Sequence, residues 1–199
     1  MANQKGGSGK TTTAIHLAAF FSKRKPTLLI DGDRIRCSQR WAERGAMPFK
    51  VVDEAQTAKY ARQFVEGNII IDTEAGPSDS TFKAVAEGCD LLVVPAVPGT
   101  VDTDGLLYTI EKLRDMNNTH YKVLLTKVRP KPNTDGDKLR AMLEKNDVPV
   151  FKTSIPNLIV FDKAAAMGVP VYDVHEDAAV RAWSAYEAVG KEILNAGTR

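Results

Sequence analysis

Short apolar runs alternate along this chain with stretches in which apolar residues recur at helical spacing. Runs of four to six mostly apolar residues are typical of strands buried in a parallel sheet. Such runs predict strands over residues 27–30, 49–52, 68–72, 91–95, 121–126 and 150–155, with the second at a sheet edge. This alternation predicts an α/β fold with a doubly wound, mostly parallel sheet and helices on both faces.

The intervening segments predict helices, and the first has apolar residues at Ala14, Leu17, Ala18 and Phe21. The predicted helices cover residues 11–25, 37–43, 53–65, 80–87, 104–116, 136–144 and 177–194. Asp53 is a predicted helix cap. The last helix has few basic residues at its end, which favours packing in the core over membrane binding. Its predicted apolar face consists of Val180, Trp183, Val189 and Ile193.

Composition and cysteine count limit the classes of protein to which this chain can belong. The 199 residues are 43% hydrophobic and 26% charged, and the absence of an internal repeat or linker predicts a single domain over residues 1–199. Two cysteines, Cys37 and Cys89, do not suggest a disulfide framework or a metal cluster. No apolar run approaches the ~20 residues of a membrane span. We expect a cytoplasmic protein whose net charge of +2 requires a local basic patch for any nucleic-acid binding.

A glycine-rich loop near the start carries the strongest chemical signal. Residues 4–12 read Q-K-G-G-S-G-K-T-T, which keeps the G-K-[ST] end of a phosphate-binding loop. Such a loop places backbone N–H groups and a helix N-terminus around a polyphosphate, predicting a P-loop NTPase. Lys10 is expected to reach the β- and γ-phosphates, and the Thr11 hydroxyl to bind Mg²⁺. The predicted nucleotide-binding residues here are Gly6, Gly7, Ser8, Gly9, Lys10, Thr11 and Thr12.

Two aspartates follow predicted strands and complete the expected site. Asp72 ends the apolar run 68–71 and is predicted to hold Mg²⁺ through water. Asp31 ends the run 27–30 and is either a second carboxylate near Mg²⁺ or a residue that orders the loop. Only residues 1–3 precede the loop, where a buried strand is expected. We expect either a start upstream in the natural protein or a very short strand there.

The loop contains an additional lysine, Lys5, directly before Gly6. With this lysine the sequence resembles the ParA/MinD family of ATPases, and within it the small ParA-like partition ATPases. The resemblance implies that Lys5 crosses a dimer interface to the partner's ATP. It implies that Asp33, in D-G-D, positions the attacking water, although Arg34 and Ile35 replace the family's Pro-Gln. It also implies that Pro156 lies near adenine. An Asn that often reads adenine in the family is replaced by Thr126-Lys127, so ATP is inferred from the family alone.

The resemblance implies a positioning ATPase that is weak alone. An ATP-bound homodimer binds DNA non-specifically, and a ParB-like or adaptor protein stimulates hydrolysis. We therefore expect a nucleoid-associated protein without a membrane partner, whose cargo is a plasmid, a chromosome or an organelle such as a carboxysome. Two alternatives remain open, a MinD-like membrane-cycling ATPase and a metabolic enzyme of the same fold. The candidate DNA contacts are Lys127, Arg129 and Lys131, or Lys152 and Lys163 with Arg181 in support.

Overall fold

The computed structural model describes residues 1–2 and 6–197, in which parallel strands alternate with helices. The strands are β1 (Thr27–Gly32), β2 (Lys50–Asp53), β3 (Asn68–Thr73), β4 (Leu92–Ala96) and β5 (Tyr121–Leu125). The helices are α1 (Lys10–Ser22), α2 (Cys37–Ala42), α3 (Glu54–Tyr60), α4 (Asp79–Gly88), α5 (Thr100–Asp115), α6 (Asp135–Lys145), α7 (Val160–Met167) and α8 (Asp177–Ala196). Two 3₁₀ turns cover Ala61–Phe64 and Val171–Asp173.

The chain forms two compact units. The first, which we call the P-loop unit, comprises Met1–Lys10, Ala75–Asn157 and Lys191–Arg199. The second, the aspartate unit, comprises Thr11–Glu74 and Leu158–Gly190. That residues 1–199 constitute a single ParA-like domain stays a prediction.

In the P-loop unit, β4 and β5 pair in parallel from Leu92 opposite Tyr121 to Ala96 opposite Leu125. The buried face of this pair joins apolar residues of α4, α5 and α6 in one core. Near the start of the chain, the fully buried Ala2 donates its N–H to the carbonyl of Val93 at 3.2 Å. The predicted strands over residues 91–95 and 121–126 are therefore present, each within one residue of its predicted bounds.

The predicted strand over residues 150–155 is wrong. Within this segment, Val150 forms an isolated bridge to Val123, and the ladder is interrupted before Ile155 donates to Leu125. The reason is a competing acceptor. The backbone N–H groups of Lys152 and Thr153 donate to the Glu192 carboxylate at 2.8 Å each instead of to a neighbouring strand.

The aspartate unit contains a three-stranded parallel sheet with the order β2-β1-β3. Leu28, Ile30 and Val52 form its buried cluster. The Asp53 side chain accepts a hydrogen bond from the Gln56 N–H at 2.8 Å, which confirms the predicted cap of α3. The predicted helices are present apart from shifts at their ends, and α7 is a further helix that was not predicted.

Helix α8 packs in the core as predicted, but one residue of its predicted apolar face is wrong. Trp183 and Val189 are buried, whereas Val180 is 69% exposed. The buried stripe runs instead through Ala179, Ala182 and Tyr186, at the three- and four-residue spacing of a helical face. Val180 lies beside this stripe.

Candidate functional site

The phosphate loop has the backbone conformation that its glycines predict. Gly7 and Gly9 lie at φ 76° and 86°, in the left-handed region that other residues rarely adopt. Ser8 and Lys10 are nearly buried, and α1 begins at Lys10. The first turn of α1 contains no acidic residue. The start of this helix is therefore electrostatically suited to an anion.

Thr126, directly after β5, forms a hydrogen bond with the phosphate loop. The Thr126 hydroxyl donates to the Ser8 carbonyl at 2.8 Å, and both residues are buried. A Cβ on Gly9 would lie 3.5 Å from the Thr126 Cβ, an ordinary contact, so the two backbones are in close proximity. In the sequence, Thr126 stands out only as a replacement for a base-reading residue, and this contact was not predicted. Its one signal was a polar residue at the end of an apolar strand.

In the aspartate unit, the two aspartates among the three predicted metal residues lie side by side. Asp31 is directly opposite Asp72 in the β1–β3 register, and both are fully buried. The two carboxylate oxygens of Asp31 accept from backbone N–H groups, Oδ1 from Asp33 at 3.0 Å and Oδ2 from Gln39 at 2.9 Å. These bonds fix the loop after β1 and the first turns of α2, which supports the loop-ordering alternative for Asp31.

Among the described residues, Asp72 has one hydrogen-bonded and one unsatisfied carboxylate oxygen. Its Oδ2 accepts from the buried Ser38 hydroxyl at 2.8 Å, whereas Oδ1 is buried without a hydrogen-bond partner among residues 1–2 and 6–197. Burial raises the pKa of Asp72, and the Thr11 and Ser38 hydroxyls only partly offset this. A buried carboxylate with an unsatisfied oxygen is costly unless a cation or donor completes it. Ser38 is a second residue that sequence reasoning missed.

These residues fit a magnesium ion better than a cluster or a zinc site. Mg²⁺ is usually bound by one or two carboxylates together with waters and substrate phosphates. Asp72 with the adjacent Thr11 hydroxyl matches that donor set, and the unsatisfied Oδ1 is the acceptor that a Mg²⁺-bound water requires. Within the part of the chain that the structure describes, no group of three or more His, Cys, Asp or Glu side chains could hold a metal ion by itself.

The predicted water-positioning residue, Asp33, lies in the loop that Asp31 orders. Its half-buried side chain accepts from the Ile35 N–H at 3.0 Å. The neighbouring Arg34, which stands at the family's proline position, pairs with Glu74 at 3.0 Å. Arg34 thus connects the loop after Asp33 with the residues that follow β3.

Burial, with a contribution from Asp33, raises the pKa of Cys37 to about 11, so this cysteine is a thiol at neutral pH.

A buried histidine connects α1 with the 3₁₀ turn Val171–Asp173. His16 Nδ1 forms a hydrogen bond with the Thr12 carbonyl at 2.6 Å, and Nε2 accepts a hydrogen bond from the Val171 N–H at 3.1 Å. Because a backbone N–H can only donate, His16 is neutral with its proton on Nδ1. Burial lowers its pKa to about 4. His16 stacks on Tyr186 at 4.7 Å between ring centroids, which identifies it as a core residue.

The family of the chain follows from its sequence. Residues 1–171 match the family described as CobQ/CobB/MinD/ParA nucleotide binding domain. The chain belongs to this family. The resemblance first indicated by the loop at residues 4–12 is therefore confirmed.

Relatives and solved structures agree with this assignment. The maintenance of carboxysome distribution protein A of Gloeobacter kilaueensis is 29% identical over 196 residues, covering 96% of this chain and 91% of the relative. A Borrelia burgdorferi protein described as a plasmid partition protein, bound to AMPPNP, has a TM-score of 0.75 at 18% identity, covering 98% and 97% of the two chains. MinD of Pyrococcus horikoshii with Mg-ADP has a TM-score of 0.68 at 18% identity, covering 96% and 93%.

The predicted fold class is confirmed by these structures: a parallel sheet with helices on both sides, of the P-loop NTPase type. The family is described by its nucleotide-binding domain, and the matched residues 1–171 include the phosphate loop. Lys5 lies outside the described residues, so its predicted role stays a prediction. Pro156 is half-buried and bridges Val128, and its predicted position near adenine also stays a prediction.

The six predicted DNA contacts are all exposed, but they lie in different units. The P-loop unit carries Lys127, Arg129, Lys131 and Lys152, and the aspartate unit carries Lys163 and Arg181. Lys163 pairs with Glu176 at 2.5 Å, which neutralises part of its charge. Lys127, Arg129 and Lys131 share one loop after β5, which makes that loop the stronger candidate. Among the described residues, no helix is both long and apolar enough to cross a bilayer.

Proposed function

We propose that this chain is a ParA-type positioning ATPase that binds and hydrolyses ATP with Mg²⁺. The observation that carries the proposal is Asp72, a buried carboxylate at the end of β3 with one oxygen held by Ser38 and the other unsatisfied. Such a carboxylate suits a Mg²⁺-bound water. Family membership and the glycine conformations of the loop support the same chemistry.

In the proposed reaction, water attacks the γ-phosphorus of ATP, the bond to the β–γ bridging oxygen breaks, and ADP leaves with its electron pair. Asp72 and Thr11 would hold Mg²⁺, which would neutralise charge on the phosphates. Lys10 and the loop N–H groups bind the phosphates. Asp33 orients the attacking water, and its backbone is fixed by Asp31.

The proposed biological role is the distribution of a cargo over DNA. ATP binding drives a homodimer in which Lys5 contacts the partner's nucleotide, and the dimer binds DNA through the loop with Lys127, Arg129 and Lys131. An adaptor protein stimulates hydrolysis and releases the dimer. The similarity to a carboxysome distribution protein favours a protein organelle as cargo. The proposed location is the cytoplasm, on the nucleoid.

A DNA mobility-shift assay with ATP, ADP or no nucleotide tests this role. We expect binding with ATP and Mg²⁺ that weakens steeply with salt, because each neutralised phosphate adds about 0.9 to the salt slope. Binding that ignores both nucleotide and salt contradicts the proposal. If the protein does not bind DNA but binds vesicles when ATP is present, the MinD-like alternative is favoured. Turnover of a small metabolite would favour the alternative of a metabolic enzyme.

Lys5→Ala tests the dimer separately from nucleotide binding. We expect ATP affinity within about tenfold of wild type, a difference of about 1.4 kcal/mol or less. The ATP-dependent increase in mass measured by light scattering is expected to disappear, and with it DNA binding. A wild-type protein that stays monomeric with ATP, or a variant that dimerises equally well, would contradict the role of Lys5.

A further inference from the structure

A buried threonine at the end of β5 makes a contact with the phosphate loop that no sequence motif assigns. The Thr126 hydroxyl donates to the Ser8 carbonyl at 2.8 Å, with the Ala96 carbonyl as a longer acceptor at 3.3 Å. The Thr126 N–H donates to the same Ala96 carbonyl at 2.8 Å. Thr126 is 2% exposed, so its rotamer and its backbone are both fixed by the P-loop unit.

The position of Ser8 in the loop gives this contact its consequence. Ser8 lies between Gly7 and Gly9, whose positive φ angles turn the backbone at both sides of its carbonyl. Glycine also has the largest conformational freedom of any residue, so a loop built from glycines requires an external restraint to keep its N–H groups aligned. A hydroxyl that binds this carbonyl restrains the Ser8–Gly9 peptide plane, which lies between the two glycine Cα atoms.

We propose that Thr126 is a positioning residue that pre-organises the phosphate loop for a nucleotide polyphosphate. The proposal rests on the proposed nucleotide-binding function and adds to it a residue 118 positions away in sequence. Thr126 contacts the loop through the Ser8 carbonyl, so we expect it to act on the affinity for nucleotide through the order of the loop. A loop that is already ordered loses less conformational entropy when it binds.

The chain offers a matched control. Thr109 is fully buried in α5 of the same unit, and its hydroxyl donates to the Gly105 carbonyl of its own helix at 2.8 Å. Thr109→Val and Thr126→Val therefore make the same chemical change at equally buried positions. Thr126→Ser keeps the hydroxyl and removes only the methyl group.

The experiment measures ADP affinity by calorimetry and loop order by amide hydrogen exchange without nucleotide. For Thr126→Val we expect about tenfold weaker ADP binding, since one net hydrogen bond corresponds to about that factor, and faster exchange in the peptide that contains Gly9 and Lys10. Thr126→Ser and Thr109→Val are expected to keep both properties near wild type. If Thr126→Val does not fold, Thr126→Ala carries the same comparison.

Three results would overturn the proposal: unchanged affinity and exchange in Thr126→Val, an equal loss in Thr126→Ser, or an equal loss in Thr109→Val. The second assigns the effect to packing of the methyl group, and the third to general destabilisation. A wild-type protein that binds neither ADP nor ATP contradicts the proposed function instead. The exchange comparison still tests Thr126 in that case, because it requires no nucleotide.

Discussion

The two units of this protein prepare polar groups for a ligand in different ways. In the P-loop unit the prepared groups are backbone amides, turned by Gly7 and Gly9 and restrained through one carbonyl by Thr126. In the aspartate unit they are side-chain carboxylates, buried at the ends of neighbouring strands and held by Ser38 and by backbone N–H groups. A loop of amides presents partial positive charge and suits phosphate, whereas buried carboxylates suit a cation.

This difference predicts separable defects. A change in the loop is expected to weaken nucleotide binding whether or not Mg²⁺ is present. A change around Asp72 is expected to weaken only the binding that depends on Mg²⁺.

Lys10→Ala is expected to abolish ATP binding, a loss of more than about 100-fold, because a charge-assisted phosphate contact in a nearly buried site disappears. The measurement is a titration with ATP in the presence of Mg²⁺ and again with EDTA, and both should show the loss. Lys145→Ala, at an exposed lysine of the same unit, is the control. Unchanged affinity in Lys10→Ala would contradict the assignment of the loop.

Asp33→Ala is expected to keep ATP affinity and dimer formation while reducing hydrolysis by about 100-fold, the usual effect of losing a group that orients or activates water. Phosphate release in single turnover measures the effect, and Glu66→Ala, an exposed acid of the same unit, is the control. Normal hydrolysis in the variant would mean that the Arg34-Ile35 replacement has moved this role to another residue.

The buried His16 makes the stability of the fold depend on pH. Because burial lowers the pKa of His16 to about 4, the unfolded chain takes up its proton at higher pH than the folded protein does. The contribution of His16 is therefore complete above pH 6.5 and declines as the pH falls towards 4. At pH 5 we expect a loss of about 2 kcal/mol in the free energy of unfolding from this group.

Urea unfolding at pH 7 and pH 5 measures this effect. His16→Gln is expected to reduce the difference between the two pH values by that amount, since glutamine does not titrate. His175→Gln, at an exposed histidine of the aspartate unit, is the control. An equal pH difference in wild type and His16→Gln would show that the pKa of His16 is the same in the folded and unfolded protein.

Ser38→Ala is expected to change binding less than the other variants. It tests directly whether the carboxylate at Asp72 affects only the binding that depends on Mg²⁺. Loss of the bond to Asp72 is expected to weaken ADP binding with Mg²⁺ by about three- to tenfold, the value of one hydrogen bond. Binding measured with EDTA should not change. Ser22→Ala removes another serine hydroxyl bond in the same unit and is the control. An equal loss with and without Mg²⁺ would contradict the separation of the two kinds of site.

Much of the fold was predictable because its signals are local. The apolar runs predict β1 to β5, and Asp53 predicts the cap of α3 from a few neighbouring residues. The segment at 150–155 has the same local pattern but is not a regular strand. Its central amides are bound by Glu192, about 40 residues away in sequence, and no local pattern reveals that competitor.

The family, the phosphate loop and the pair Asp31 and Asp72 can be recognised in the sequence alone. Each is encoded by adjacent residues whose backbone or strand position follows from their own chemistry. How these groups are held depends on long-range packing. Ser38 reaches Asp72 across 34 residues, and Thr126 reaches Ser8 across 118. A hydroxyl becomes a specific donor only when folding buries it beside one acceptor, and that pairing depends on the packing of whole elements.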